Sequence, residues 1–274
     1  MNQENVVLAI SDKFEELEEL HQRYRSQLDW TKNTRNFIYR KLNFSDSKHF
    51  LEIGCGTGAL LEEIAMRFIA PKYGQNQDVR LCGVDIDKDC VEFTREYLID
   101  MLHCLDLKKT DASKIPFGDG TFDVVVCHYF LMWNDGKKRK KILQECRRVL
   151  KDKGWFVCFS EPDYGGRIDE PETPLKEYLI SSLQSAGADP FSGRKLFADL
   201  AEFNNVQVDC CSTPWTSQNW KQHFYNEWNF YKRVIDEKIA SPKELEKIRK
   251  QEINAIESGG KFTFMPVFYG YGQK

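Results

Sequence analysis

The sequence predicts an α/β protein built on an open, doubly wound, mostly parallel sheet. A short apolar run, His49 to Ile53, ends in Gly54-Cys55-Gly56-Thr57-Gly58 and passes straight into Ala59-Leu60-Leu61-Glu62-Glu63-Ile64-Ala65, whose apolar residues recur at helical spacing. A second run, Arg80 to Val84, stops at an acid, Asp85. From there to Val157 strand-like and helix-like patterns alternate, the order expected of parallel strands joined by crossover helices.

The elements follow in chain order. Residues 1–47 read as helical: Phe14, Leu17 and Leu20 have helical spacing, and Arg23 to Thr31 is rich in groups able to close over a bound molecule, Tyr24 and Trp30 among them. At the turn after His49–Ile53, glycine serves where the backbone bends sharply and a ligand comes close, and the helix start adds N–H groups without intrahelical partners. The spacing bears on the ligand. A dinucleotide fingerprint is Gly-x-Gly-x-x-Gly, whereas here the glycines are 54, 56 and 58, and position 59 is Ala. Glu52, two residues before the first glycine, suits a pyrophosphate poorly and a cationic amino-acid group well.

That Glu-x-Gly-x-Gly-x-Gly run resembles the first motif of class I S-adenosylmethionine-dependent methyltransferases. The resemblance implies a Rossmann-like, seven-stranded sheet with an antiparallel last strand, and S-adenosylmethionine as cofactor, cradled by Glu52, Gly54, Gly56 and Gly58. Asp85, at a strand's carboxyl end, is placed to accept both ribose hydroxyls, a geometry that would equally hold a nicotinamide cofactor. By the same resemblance Ile86 packs on the adenine, Asp111 and Ala112 read its amino edge, and His128 and Tyr129, past the strand Phe122–Cys127, lie beside the methionine portion. Ile142 to Val157 then gives a helix, a glycine stop at Gly154 and a fifth strand. The resemblance is specific from about Phe37 to Ser160.

Beyond it, Ser160 to Asp169 is a turn-rich stretch at the carboxyl edge of the sheet, where open α/β proteins bind ligands. Asp163, Tyr164 and Arg167 there, with Trp30, are the candidate substrate contacts; the competing reading is a solvated turn reversed by Gly165-Gly166. Leu175–Ala186 and Arg194–Phe203 read as helices and Val206–Thr213 as a strand. Trp215, Trp220, Phe224, Tyr225, Trp228, Phe230 and Tyr231 crowd into an insertion that reads as core or as a cap offering a wall to an apolar or planar substrate, and Ile235–Ile248 continues in helical register. Lys261–Tyr271 looks like the family's last strand, next to the fifth. The expected organisation is an N-terminal helical lid (1–47), a cofactor-binding core (48–160), a helical insertion (161–205) and the last two strands (206–274) with a cap at 214–260.

A net charge of -3 argues against a nucleic-acid footprint, and Lys137-Lys138-Arg139-Lys140-Lys141 reads as a solvated helix face. No apolar run approaches membrane-spanning length, and Met1 to Asn5 lacks the order of a secretion signal. Nine scattered cysteines without a Cys-x-x-Cys pair suit buried thiols in a reducing cytoplasm; no metal is called for, and the adjacent Cys210 and Cys211 suit neither a shared metal nor a mutual disulfide. The implied chemistry is methyl transfer to oxygen, nitrogen or carbon, with His128, Tyr129 and Tyr164 as the candidate bases or orienting groups. Cys127-His128-Tyr129-Phe130 stands where amino-group methyltransferases of adenine or glutamine carry Asn/Asp-Pro-Pro-Tyr/Phe, and a Pro-Cys nucleophile for pyrimidine carbon is missing. Small organic acceptors remain, as in ubiquinone-biosynthesis methyltransferases. A tRNA or protein methyltransferase, a non-catalytic cofactor-binding subunit and a nicotinamide enzyme are the alternatives.

Overall fold

The computed structural model describes residues 3–70, 79–101, 103–212 and 214–274. Among the described residues, ten strands fall into two sheets. The larger has seven strands in the order β3-β2-β1-β4-β5-β10-β7, and the smaller three in the order β6-β9-β8. In chain order the strands are β1 His49–Ile53, β2 Arg80–Asp85, β3 Leu105–Lys109, β4 Phe122–Cys127, β5 Leu150–Pro162, β6 Ile168–Glu170, β7 Asn204–Cys210, β8 Trp215–Thr216, β9 Phe262–Phe264 and β10 Val267–Gln273. The helices are α1 Gln3–Lys41, α2 Ala59–Ile64, α3 Lys88–Tyr97, α4 Gly136–Val149, α5 Leu175–Ser185, α6 Leu196–Asp199, α7 Ser217–Val234 and α8 Pro242–Glu257. The chain divides into two compact units, one of Met1–His128, Lys141–Val157 and Gly272–Lys274, the other of Tyr129–Lys140 and Cys158–Tyr271. This differs from the four consecutive segments read from the sequence.

In the first unit β1 pairs in parallel with β2 (Leu51 beside Cys82, Glu52 beside Gly83) and with β4 (Glu52 beside Val126), and β2 with β3 (Asp85 beside Lys109). Phe50, Leu51, Ile53, Leu81, Val84 and Val124 to Val126 are fully buried, as strands covered on both faces require. Asp123 anchors the start of β1: its Oδ2 accepts from the Lys48 and His49 N–H groups, and Lys151 Nζ donates to its Oδ1. The N-terminal region is one helix of 39 residues, about 58 Å long, because no Gly or Pro interrupts it. Arg40 and Lys41 complement the dipole of its last turn, and Asn43 leaves it in the left-handed region at φ 51°. Arg35, 1% exposed, ties α1 to α2: Nη2 donates to Glu63 Oε2 at 2.6 Å, Nη1 to the Leu28 carbonyl and Thr31 Oγ1, and Tyr39 OH donates to Glu63 Oε1.

The second unit packs α5, α7 and α8 around Leu175, Leu179, Leu183, Trp228, Tyr231, Leu245 and Ile248. Trp220, Trp228 and Tyr231 of the aromatic cluster are buried, while Tyr225 is exposed. The helical register read through Ile235–Ile248 breaks at Ile235, and Ser241 begins a new helix with a capping box to Glu244 and Pro242 behind it. Pro266 divides the closing strand: β9 pairs antiparallel with β6 and β8, and β10 lies between β5 and β7. The strand read as Val206–Thr213 runs Asn204–Cys210; Thr213 lies outside the described residues. The stretch Arg194–Phe203 holds only a 3-10 turn and the four-residue α6. In the basic run, Arg139 is 1% exposed and pairs with Asp189 and Asp199, each at 2.8 Å, so it belongs to the core.

Candidate functional site

The turn after β1 is built by its three glycines. Gly54, Gly56 and Gly58 have φ of 67°, 49° and 81°, which side-chain-bearing residues rarely adopt. A Cβ on Gly56 would stand 2.8 Å from Tyr24 Cε2 of α1, and one on Gly58 2.5 Å from Thr94 Cγ2 of α3. The N–H groups of Gly54 and Cys55 donate to the Val84 carbonyl, which fastens the turn to β2. Thr94 Oγ1 donates to the Gly56 carbonyl at 2.8 Å. From α1, the His21 ring bonds Thr57.

Asp85 ends β2 against this turn. Its Oδ2 accepts from Gly56 N–H at 2.8 Å and its Oδ1 from Asp87 N–H at 2.9 Å, which leaves further lone pairs on both oxygens. Burial raises its carboxyl above the usual range while those backbone donors pull it down. Asp87 in turn caps α3, accepting from Asp89 and Cys90 N–H. The loop after β3 is joined to the same place: Thr110 N–H donates to the Asp85 carbonyl at 2.7 Å, and Asp111 Oδ1 accepts from Ser113 N–H. Ala112 is buried, whereas Ile86 is 61% exposed, an apolar side chain left on the surface beside the acid.

Glu52 is the feature with the sharpest chemical meaning. It is 4% exposed, and its Oε2 has no hydrogen-bond partner. Burial, and after it the neighbouring Asp85 charge, hold its carboxyl well above the ordinary range. A buried acid in that state is stabilised by a cation brought alongside. The glycine turn, the two acids and the exposed Ile86 fit a cofactor with a cationic amino-acid end, a ribose and a base. They fit a pyrophosphate badly, because its negative charge would face both carboxylates.

His128, past β4, is partly buried, with Nε2 3.2 Å from Thr31 Oγ1 of α1. Burial and the nearby Arg35 hold it well below the usual imidazole range, so it is neutral at pH 7. Trp30, beside Thr31 on α1, is half-buried. The first unit thus gathers Glu52, Gly54, Gly56, Gly58, Asp85, Ile86, Asp111 and Ala112 at the carboxyl ends of β1, β2 and β3.

The other candidates lie in the second unit. Tyr129 has a left-handed backbone, φ 51°, and its N–H donates to the Ser160 carbonyl. Tyr164 is buried in the apolar cluster of that unit. Asp163 is engaged by Arg194, whose Nε and Nη2 donate at 2.5 and 2.7 Å, and by Gly165 N–H. Arg167 is buried against Asp169, with Nε donating at 2.6 Å and Nη1 to Tyr231 OH at 3.1 Å. Asp163 and Arg167 therefore have structural partners, unlike the solvated turn the sequence also allowed.

Glu161, not singled out by the sequence, accepts from the N–H groups of Phe130, Leu131 and Met132 and from Ser192 Oγ, fixing the path of the chain just after Tyr129. Burial pushes its carboxyl up to about 7. Thr94 and His21 were missed as well. Their partners on the turn are 36 or more residues away, and no local spacing announces them.

Residues 51–158 match the family model of a methyltransferase domain. An uncharacterized methyltransferase of Schizosaccharomyces pombe is 27% identical over 74% of this chain and 80% of its own length. A ubiquinone/menaquinone biosynthesis C-methyltransferase of Citrifermentans bemidjiense is 31% identical over 47% of this chain, and the match spans about half of that relative, 52%. Phosphoethanolamine N-methyltransferase 2 of Haemonchus contortus, solved with S-adenosyl-L-methionine, shares the fold at a TM-score of 0.53 and 15% identity, covering 83% of this chain and 48% of that one. The glycine turn, Glu52, Asp85, Asp111 and His128 all lie within residues 51–158, the stretch that is similar to a methyltransferase domain.

Proposed function

We propose that this protein transfers a methyl group from S-adenosylmethionine to a small organic acceptor. The observation that carries the reading is Glu52, a buried acid with an unpartnered oxygen beside the glycine turn and Asp85. In this reading Glu52 complements the methionine ammonium, the Gly54–Gly58 turn lets the cofactor lie close to the backbone, and Asp85 accepts the ribose hydroxyls on its remaining lone pairs. Ile86 covers one face of the adenine, and Asp111 with Ala112 N–H reads its edge. The cofactor supplies a methyl on a sulfonium, already activated for in-line attack, so the protein chiefly aligns donor and acceptor and excludes water.

The α1 helix serves as the lid, with the Tyr24 ring lying on Gly56. In this reading His128 holds its ring proton on Nε2. Thr31 Oγ1 accepts from Arg35 Nη1 and donates to the Gln27 carbonyl. Its remaining lone pair then receives His128 Nε2–H, which fixes the ring's tautomer. Tyr129 and Tyr164 are the further candidates for orienting an acceptor. Phenolic and quinol acceptors head the screen, since a relative's name places it in ubiquinone/menaquinone biosynthesis. None of the nine cysteines is joined in a disulfide, and we place the protein in the cytoplasm on that ground; no described helix is long and apolar enough to cross a membrane.

Calorimetric titration with S-adenosylmethionine, S-adenosylhomocysteine and NADH tests the reading. Micromolar binding of both sulfur compounds and none of NADH is expected. NADH binding, or silence with both sulfur compounds, would overturn it.

A further inference from the structure

A second cleft opens between α1 and α3, and neither Asp85 nor Ile86 is among its lining residues. It has a volume of about 680 Å³ and is lined by Glu15, Glu18, Glu19, His21, Gln22, Phe93, Glu96 and Tyr97, within the range of small-molecule sites. Positions 15, 18, 19 and 22 share one face of α1, so three carboxylates run along one wall, and Glu96 of α3 faces in from the other. Among the described residues no Lys or Arg lines it, and none forms an ion pair with Glu15, Glu18 or Glu96. Arg25, one turn beyond His21 on α1, is spent on Glu62 and Tyr97 OH. The rings of Phe93 and Tyr97 stack in parallel, with centroids 6.0 Å apart.

The side chain that gives this acidic surface a chemical direction is His21. It is 3% exposed, and its ring packs on Tyr97 with centroids 4.3 Å apart. Nδ1 stands 3.2 Å from the Thr57 carbonyl, which can only accept, so Nδ1 carries the proton. Nε2 is then a bare acceptor, and it has no hydrogen-bond partner. Burial holds the ring below the usual imidazole range, which keeps it neutral at pH 7. A buried acceptor, flanked by aromatic faces and carboxylates, is complementary to an N–H-bearing organic cation. Carboxylates one helical turn apart, about 5.4 Å, suit ammonium groups separated by short methylene spacers, whose methylenes would lie on the two rings.

We propose that this cleft binds a linear aliphatic polyamine, one amine donating to His21 Nε2 and the others pairing with Glu15, Glu18 and Glu96. The ligand takes no part in methyl transfer, so failure of this proposal leaves the cofactor reading standing.

Spermidine is the probe, titrated calorimetrically into the full chain. Saturable binding is expected, weakened about fivefold to tenfold in a Glu18→Gln, Glu96→Gln double variant, both side chains being exposed. A Glu237→Gln, Glu246→Gln variant in the other unit should bind like the parent. Imidazole nitrogen spectra report on His21 without substitution: Nε2 should move from a bare toward a hydrogen-bonded shift as spermidine saturates. No saturable binding at millimolar spermidine, equal weakening in both double variants, displacement by an equal concentration of Mg²⁺, or an unmoved Nε2 would each overturn the proposal.

Discussion

Asp85 illustrates how one side chain both builds the cofactor turn and remains available to a ligand. Its two oxygens each take one backbone N–H, yet a carboxylate offers about four acceptor sites. Asp85→Ala should therefore weaken S-adenosylhomocysteine binding by about 2 to 4 kcal/mol; unchanged affinity in calorimetry would remove Asp85 from the site. Gly56→Val is expected to abolish that binding, because a branched side chain at φ 49° would strike the Tyr24 ring. A folded Gly56→Val protein that still binds would undo this account of the turn. Both residues were legible in the sequence, since glycine spacing and a strand-end acid are local signals. Arg139 was not. Nothing in a run of five basic residues distinguishes the one whose partners lie 50 and 60 positions away.

Among the elements, α1 is tied to α2 by a buried cation. Arg35 joins Glu63 of α2 to the Leu28 carbonyl and Thr31 Oγ1, so Arg35→Met should cost about 3 kcal/mol in urea denaturation. Arg35→Lys should recover only part, because a point charge cannot reproduce the forked contacts. In the second unit Asp169 of β6 gathers Arg167, Lys261 and Thr263 Oγ1. Burial alone would raise its carboxyl, but Arg167 and then Lys261 outweigh that and hold it near 2. The folded value lies below the unfolded value of about 3.9, so the stabilisation is complete above that pH and is lost as the pH falls toward 2. Asp169→Asn should thus cost about 3 kcal/mol at pH 6, with the gap to the parent narrowing between pH 4 and 2 in pH-resolved melting curves. The elements that escaped the sequence share a physical cause: long-range pairing overrides local pattern. Lys151-Asp152-Lys153 lies inside β5 although nothing in it is apolar, and the closing segment splits at Pro266, which cannot donate to a ladder.

For the molecule as a whole, the two units differ in what they hold. The cofactor contacts proposed here all lie in the first, so S-adenosylhomocysteine at a hundredfold excess over its Kd should stabilise that unit by about 2.7 kcal/mol. Its melting transition should rise by roughly 5 °C or more, with no shift from NADH; a transition that does not move, or moves equally with NADH, would count against the site. The parallel half of the sheet was readable because each strand there is a compact apolar run followed by a turn signal. The second unit was read mainly as aromatic excess, since which rings are buried depends on helices brought together from distant parts of the chain.

The sheet order has a consequence for vectorial synthesis. β10, formed by residues 267–273, lies between β5 and β7, which leave the ribosome well before it. Until those residues emerge, β5 and β7 have no strand between them and each carries an open row of amide and carbonyl groups. For the whole of that interval the nascent chain depends on chaperones, or on speed, to avoid pairing with a neighbour.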